Sequence, residues 1–529
     1  MKKLQAFIFI LVMLCCQLAF AAPRIKGTLL YVPLDNRPVC LAYPVETMEA
    51  AGWEVKTPPL EYIAGAEKGG DPDALFDWLL ENADESLAMV ISSDALVYGG
   101  LVDSRTHHIP LEMLKRRADR LVELKKDFRD QLVYVFTTIM RSPKRSAAPV
   151  EPAYYKEWGA KIFRLGELED KLEAKEIGYR EKRELRKLRQ AIPQEILADM
   201  YTRRGNNIKA TELLLHGVES GDFDYLLIGR DDTAQFSQAH REAREMEFLV
   251  NELPKERIRF FAGADQLGLL LLARASTKLQ YEIPLVQIVY APGEGGATVP
   301  AYEDDTIAMS ARQHVYVAGA VPIFNHKRAD LVLAVNTPQD GVTLEASSPE
   351  NDYLVTAEVE KFTKLLDVMT NNGKTVAVAD VKYGNGGDNA LVSNIFANGL
   401  EYKLASYAGW NTAGNSLGYA LAQGLLSQQY SEAGKRQLLN VRYLDDWAYQ
   451  SNVRMDVYRN LIWPKYWPNS GLDVEQTAVA EADITNLMAS VAEPMLGEAV
   501  KNYRFTLPWN RMFEVYVEKG SVAENVSEK

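Results

Sequence analysis

Short apolar runs alternate with longer amphipathic stretches from residue 27 to about residue 426. The runs at 28–32, 54–57, 88–92, 132–138, 225–229, 258–262, 285–290, 330–335, 375–379 and 404–407 predict strands. Most are continuous blocks rather than alternating ones, which suits strands covered on both faces. The stretches between them, such as 111–128, 238–253 and 267–279, carry helical spacing. Strand, helix and strand in repetition imply parallel pairing through right-handed crossovers, so the fold class is α/β. About eight such units close a TIM barrel, while ten can split between two doubly wound sheets, and periodicity leaves both open.

Two segments interrupt this rhythm. Residues 164–189 are dense in charge, yet Leu165, Leu168, Leu172, Leu185 and Leu188 keep helical spacing. They predict an amphipathic helical insertion, near 155–220, that is solvated on one side. Beyond Leu425 the pattern is mainly helical and rich in aromatics, as in Asp446-Trp447-Ala448-Tyr449 and Trp463-Pro464-Lys465-Tyr466-Trp467. The expected divisions are a leader at 1–21 and a barrel-like α/β domain at 22–345. An α/β continuation or second small α/β domain at 346–428 follows, then a mainly helical region at 429–529.

The N-terminus has the three parts of an export signal. Lys2 and Lys3 precede an apolar core at 4–14, and Ala19-Phe20-Ala21 supplies a small-x-small cleavage site. That core is too short for a comfortable membrane span, and no later segment has the length of uncharged apolar sequence a span needs. The expectation is a protein exported to the periplasm or the medium after cleavage behind Ala21. Cys15 and Cys16 leave with the leader, so Cys40 is the remaining thiol and no intrachain disulfide forms.

Composition adds exclusions. Apolar residues at 47% and charged residues at 25% rule out wholesale disorder. The formal charge of −13, two units more negative without Lys2 and Lys3, argues against a sequence-independent nucleic-acid binder.

Candidate chemistry clusters just after the strands. The first predicted strand runs into Asp35-Asn36-Arg37, the third into Asp94 and on to Arg105, and the fourth into Arg141. Later strands lead to Arg230-Asp231-Asp232-Thr233, to Asp265, to Asp380 and Asp388, and to Trp410-Asn411 and Asn415. In a parallel α/β fold these carboxyl ends share one face, where ligands bind. A single Asp at such a place is explained as a helix N-cap. Capping explains neither the arginines nor the Trp410-Asn411 pair. Carboxylates, planar amides, guanidinium groups and an indole together suit a polar, hydroxyl-rich ligand such as a sugar.

Asp231-Asp232 is the sharpest local signal. Two close carboxylates resist simultaneous ionisation, which leaves one acid and one anion at neutral pH. Glycosidic cleavage needs that division: a proton for the leaving oxygen and a charge to support an oxocarbenium-like centre. The competing reading has Asp231 paired with Arg230 or an incoming arginine and Asp232 capping the next helix. A metal reading starts from Asp94, His107 and His108, although neighbouring histidines on one backbone seldom reach one ion, and no HExxH or CxxC spacing is present. Gly384-Asn385-Gly386-Gly387-Asp388 lacks the lysine and spacing of a phosphate loop and reads as a tight turn.

Several motifs together resemble an uncharacterised bacterial family, domain of unknown function 4127. They are Pro33-Leu34-Asp35-Asn36-Arg37-Pro38, Ser93-Asp94 to Arg105, Ile139-Met140-Arg141, Asp231-Asp232, Ala334-Val335-Asn336-Thr337-Pro338 and Pro508-Trp509-Asn510-Arg511-Met512-Phe513-Glu514. The likeness spans nearly the whole chain after the leader and brings no established reaction. Tyr225 to Asp232, with Phe236 and Ala239-His240, is similar to the paired-Asp strand of barrel-type N-acetylglucosaminidases. That likeness implies that the substrate's acetamido group attacks, Asp231 orients it and Asp232 is the general acid. Thr233 departs from the apolar residue usual there.

The resulting expectation is an exported glycoside hydrolase acting on a carbohydrate or cell-envelope glycan, with N-acetylhexosamine units within its range. Asp231 and Asp232 are the catalytic candidates. Asp35, Arg37, Asp94, Arg105, Arg141, Asp265, Asp388, Trp410, Asn411 and Asn415 are the candidates for substrate binding, and no organic cofactor is implied. The alternatives are a noncatalytic carbohydrate or cell-envelope binding protein, or a metal-dependent hydrolase.

Overall fold

The computed structural model describes residues 25–144, 150–231, 233–468 and 471–520. The leader at 1–21 and Asp232 therefore lie outside the described residues. Strands β1 (Thr28–Val32), β2 (Glu54–Lys56), β3 (Ala88–Ser92), β4 (Leu132–Ile139), β5 (Tyr225–Arg230) and β6 (Ile258–Ala262) form one parallel sheet in the order β2-β1-β3-β4-β5-β6. The chain continues through β7 (Leu285–Tyr290), β8 (Val321–Ile323), β9 (Leu331–Asn336), β10 (Leu344–Glu345), β11 (Val376–Asp380), β12 (Tyr383–Gly384) and β13 (Ser406–Ala408). Of these, five build a second parallel sheet in the order β13-β11-β9-β7-β8, and β10 pairs with β12 alone.

Both sheets are open, so the barrel alternative is not the one adopted. The physical reason lies in the edges: β6 finds no partner in β1, and β7 starts a new sheet instead of extending the first. The two sheets also share a winding. In each, the second strand lies on one side of the first and the later strands run outward on the other, reversing beside β1 and beside β7. No internal repeat is visible along the sequence, yet the order of pairing repeats.

Continuous apolar runs on the first sheet are buried on both faces. Leu29 and Tyr31 of β1 face one core, while Leu30 and Val32 face another, as alternation along a strand requires. The larger core joins the two sheets through the helices Leu267–Leu279 and Ala413–Leu426, which touch each other. Both are buried around nearly their whole circumference, as helices with almost no solvated face. Small residues permit the approach: a Cβ on Gly268 would meet Tyr31 Oη at 2.2 Å, and one on Gly418 would meet Gln266 Cγ at 2.4 Å.

The charged insertion folds as Tyr155–Glu173, Tyr179–Ala191 and the long helix Gln194–Glu219. Leu165, Leu168 and Leu185 build a small core of their own there. The C-terminal region is largely helical and includes a π-helical run, Tyr443–Val453. It returns as an antiparallel pair, β14 (Tyr503–Thr506) with β15 (Tyr516–Lys519). Among the described residues no helix is long and apolar enough to cross a membrane.

Candidate functional site

The loops leaving β1, β5, β6, β7 and β13 are bound to one another, so the carboxyl ends of the two sheets share a region. Arg37, just after β1, is its hub. Its Nε donates to both Asp35 oxygens, at 2.9 and 3.0 Å, and its Nη2 donates to Asp265 Oδ1 at 2.6 Å. The other Asp265 oxygen accepts from Asn411 Nδ2 at 3.4 Å, across from the second sheet. Burial pushes the Asp265 carboxyl up, while the Arg37 guanidinium pulls it down. Asn411 holds a left-handed backbone, φ 59°, and its carbonyl accepts from Asn385 N at 2.7 Å.

A second group adjoins the first. Arg105 Nη2 donates to Asp231 Oδ2, and Arg105 Nη1 lies 3.7 Å from Glu151 Oε1. Glu151 in turn accepts from Arg141 Nε at 2.6 Å. Asp94 is fully buried and accepts from Thr138 N and Oγ1, at 2.9 and 3.0 Å. Burial pushes its carboxyl up to about 7; the Thr138 donors oppose the rise and the neighbouring Asp231 charge adds to it. Asp231 bears on Asp265 in the same way, which makes the two groups one electrostatic unit.

Glu303 joins from the loop after β7. Tyr302 O accepts from Thr233 N at 3.0 Å, and Asp304 Oδ2 accepts from Arg230 Nη1 at 2.6 Å, so this loop is fastened on both sides of the Asp pair. Between those fastenings Glu303 Oε1 accepts from Gly414 N at 2.5 Å. Its Oε2 is buried with no hydrogen-bond partner among the described residues. Burial pushes this carboxyl up to about 7.

The C-terminal segment braces the site. Trp509 Nε1 donates to Asn36 Oδ1 at 2.7 Å, and the guanidinium groups of Arg37 and Arg511 both lie over the Trp509 ring, 5.7 and 4.8 Å from its centroid. Glu514, bonded to Arg511, stands 4.0 Å from Arg37 Nη1.

Asp35, Arg37, Asp94, Arg105, Arg141, Asp231, Asp265 and Asn411 therefore come together. Three candidates do not join them. Asp388 caps the helix Asn389–Ala397 through Ala390 N and pairs with Lys382 at 2.9 Å, the N-cap reading of a strand-end Asp. Trp410 is core, packed edge-on against Phe513 at 5.8 Å. Asn415 is buried in the helix Ala413–Leu426, and its Oδ1 has no hydrogen-bond partner among the described residues. Asp231 has taken the incoming arginine of the competing reading; Arg230 goes to Asp304 instead.

Asp94, His107 and His108 are not brought around one point. His107 Nε2 lies 2.8 Å from Asn207 Oδ1, and His108 is exposed beside Asp199. Among the described residues no group of three or more His, Cys, Asp or Glu is arranged to hold a metal ion. Sequence reasoning missed Glu151 and Glu303. Nothing marks Glu151, but Glu303-Asp304-Asp305 is an acidic run after a predicted strand, the same signal that singles out Asp231-Asp232.

A further acidic cluster supports the second sheet. Asp380 accepts from Asn336 Nδ2, Asp388 N and Tyr407 Oη at 2.8, 2.7 and 2.9 Å. Asp446, on the π-helical run, accepts from Arg442 Nη1 at 2.9 Å and Gly409 N at 2.8 Å. Burial pushes Asp380 and Asp445 up to about 6, and Asp446 and Glu46 up to about 7. With Asp94 and Glu303, these carboxyls keep protons in the fold that the unfolded chain releases near pH 4. Their contribution is lost as pH rises toward 7. Buried His314, pushed down to about 4, works in the opposite direction below about pH 6.5. The melting temperature is expected to be a few degrees higher at pH 5.5 than at pH 8; calorimetry showing the reverse order would contradict this protonation pattern.

One family model, described as "Protein of unknown function (DUF4127)", matches residues 29–518. No curated protein matches the chain.

Proposed function

We propose, for a chain that belongs to the DUF4127 family, that it is an exported glycoside hydrolase-like enzyme acting on a polar carbohydrate. The observation that carries this reading is the unequal state of two carboxyl groups on loops that are bonded to each other. Asp231 is ion-paired with Arg105, whereas Glu303 is pushed up to about 7 and leaves one oxygen unpartnered among the described residues. An anion and a protonated acid held by adjoining loops are what glycosidic cleavage uses. Asp231 supports the positive charge that develops at the sugar carbon. Glu303 delivers the proton to the leaving oxygen, and Asp232, next to Asp231 in sequence, is the second candidate for that step. Asp265, Asn411 and Arg141 supply hydrogen-bonding groups beside them. The three-part N-terminal pattern supports export.

The test is a panel of oligosaccharides and bacterial wall fragments incubated with the native chain and with Asp231→Asn, with reducing ends quantified. Product from the native chain, and at least about 10³-fold less from the variant, is the expected result. Saturable binding with no product from any substrate would instead identify a noncatalytic carbohydrate-binding protein.

A further inference from the structure

A cleft of about 490 Å³ opens between the helical insertion and the loops that follow β3 and β4, a volume within the range of small-molecule sites. Glu151, Tyr154, Glu195, Asp199, Arg203 and His108 are among its lining residues. Glu151 connects it to the acidic site, because the Arg105 guanidinium facing Glu151 is the one that grips Asp231. Arg105 is itself nearly fully buried, and its Nε has no hydrogen-bond partner among the described residues.

The charges in this cleft are unevenly available. Arg203 Nη2 is committed to both Asp199 oxygens at 2.7 Å, and its Nε to His107 O at 2.8 Å. Tyr154 Oη also donates to Asp199, at 2.7 Å. Arg141 and Arg105 are taken by Glu151 and Asp231. Among the described residues each guanidinium at or behind the wall thus already has its carboxylate, and Glu151 and Asp199 are offset in turn. Glu195 is exposed and has no ion-pair partner among the described residues. An anionic ligand would find no open guanidinium among the described residues and would face Glu195, whose charge no arginine offsets there. A ligand that brings its own donors, and above all a positive charge, would find acceptors and a half-buried Tyr154 in the lining.

We infer that this cleft is a subsite for a sugar bearing a free, protonated amine, placed beside the acidic site so that an amino-sugar polymer runs from one to the other. The inference rests on the carbohydrate reading above and names its substrate class. Electrostatic selection of this kind is moderate and weakens with salt.

Calorimetric titration of the native chain at pH 6.5 and low salt tests it, with the glucosamine tetramer and its fully N-acetylated counterpart as probes. The amine tetramer is expected to bind about 3- to 5-fold more tightly, the worth of a solvent-rimmed charge pair. Glu195→Gln, a change at an exposed side chain, should remove most of that preference, and Glu195→Lys should reverse it. Equal affinity for the two tetramers, or a preference untouched by both variants, overturns the inference. So does a lysine tetrapeptide that binds equally well with the same dependence on Glu195, which would mark a peptide site. Amine-selective binding without cleavage of either tetramer leaves the subsite standing and removes the hydrolase reading. Cleavage without amine selectivity does the opposite.

Discussion

Glu303→Gln is expected to lower turnover of an unactivated oligosaccharide by about 10²–10⁴-fold, the usual worth of a general acid. The same variant should hydrolyse a nitrophenyl glycoside of that sugar within about tenfold of the native rate, because a nitrophenolate departs without a proton. Glutamine keeps the acceptor for Gly414 N and places an amide where the orphan oxygen stands, so the loop retains its fastening to the second sheet. The pH profile gives a second readout. Native activity on the poor leaving group should fall as pH rises through about 7, where Glu303 loses its proton, and the variant should lack that limb. Equal losses on both substrates would make Glu303 a structural carboxyl and pass the proton donor's role to Asp232.

Much of this architecture is legible along the chain, for a simple reason. A parallel strand covered on both faces reads as a near-continuous apolar run, so 28–32 and 88–92 coincide with the buried strands β1 and β3. The half-buried 258–262 and 285–290 coincide with β6 and β7 although each carries a polar residue. Closure is different. Whether β6 meets β1 or stays an edge depends on how the buried helices Leu267–Leu279 and Ala413–Leu426 pack, and no local pattern reports that. The strands that went unforeseen, β8 and the pairs β10 with β12 and β14 with β15, are four residues or fewer and carry too little periodicity.

The site divides along similar lines. Strand-end polar residues are readable because parallel topology gathers them, and eight of the predicted side chains do gather. Asp388 and Trp410 stand apart for opposite reasons: the first is occupied as a cap and by Lys382, the second is packed in the core against Phe513. The motif from Pro508 to Glu514 is informative only once folded, since Trp509 reaches Asn36 from the far end of the chain. The family match across residues 29–518 spans both ends of that contact.

Arg37→Met should then be the most damaging single change to stability, at about 3–5 kcal/mol near pH 8, because it strands buried carboxylates without their cation. Asp35 is 1% exposed and Asp265 is 7% exposed, and Glu514 also faces the guanidinium. Loss of Arg37 takes away the pull that holds the Asp265 carboxyl down and leaves the burial that pushes it up. A carboxyl pushed up in the fold stabilises while protonated and loses that contribution as pH rises through its folded value. The deficit of the variant relative to the native chain is therefore expected to shrink at pH 5, where protonation removes the stranded charge. Denaturant unfolding at the two pH values checks this. A second variant, Arg37→Met with Asp265→Asn, should recover part of the loss at pH 8, since it removes one of the orphaned charges rather than neutralising it. A deficit that is the same at both pH values, with no recovery in the double variant, would mean that Arg37 acts through its stacking on Trp509 and not through charge.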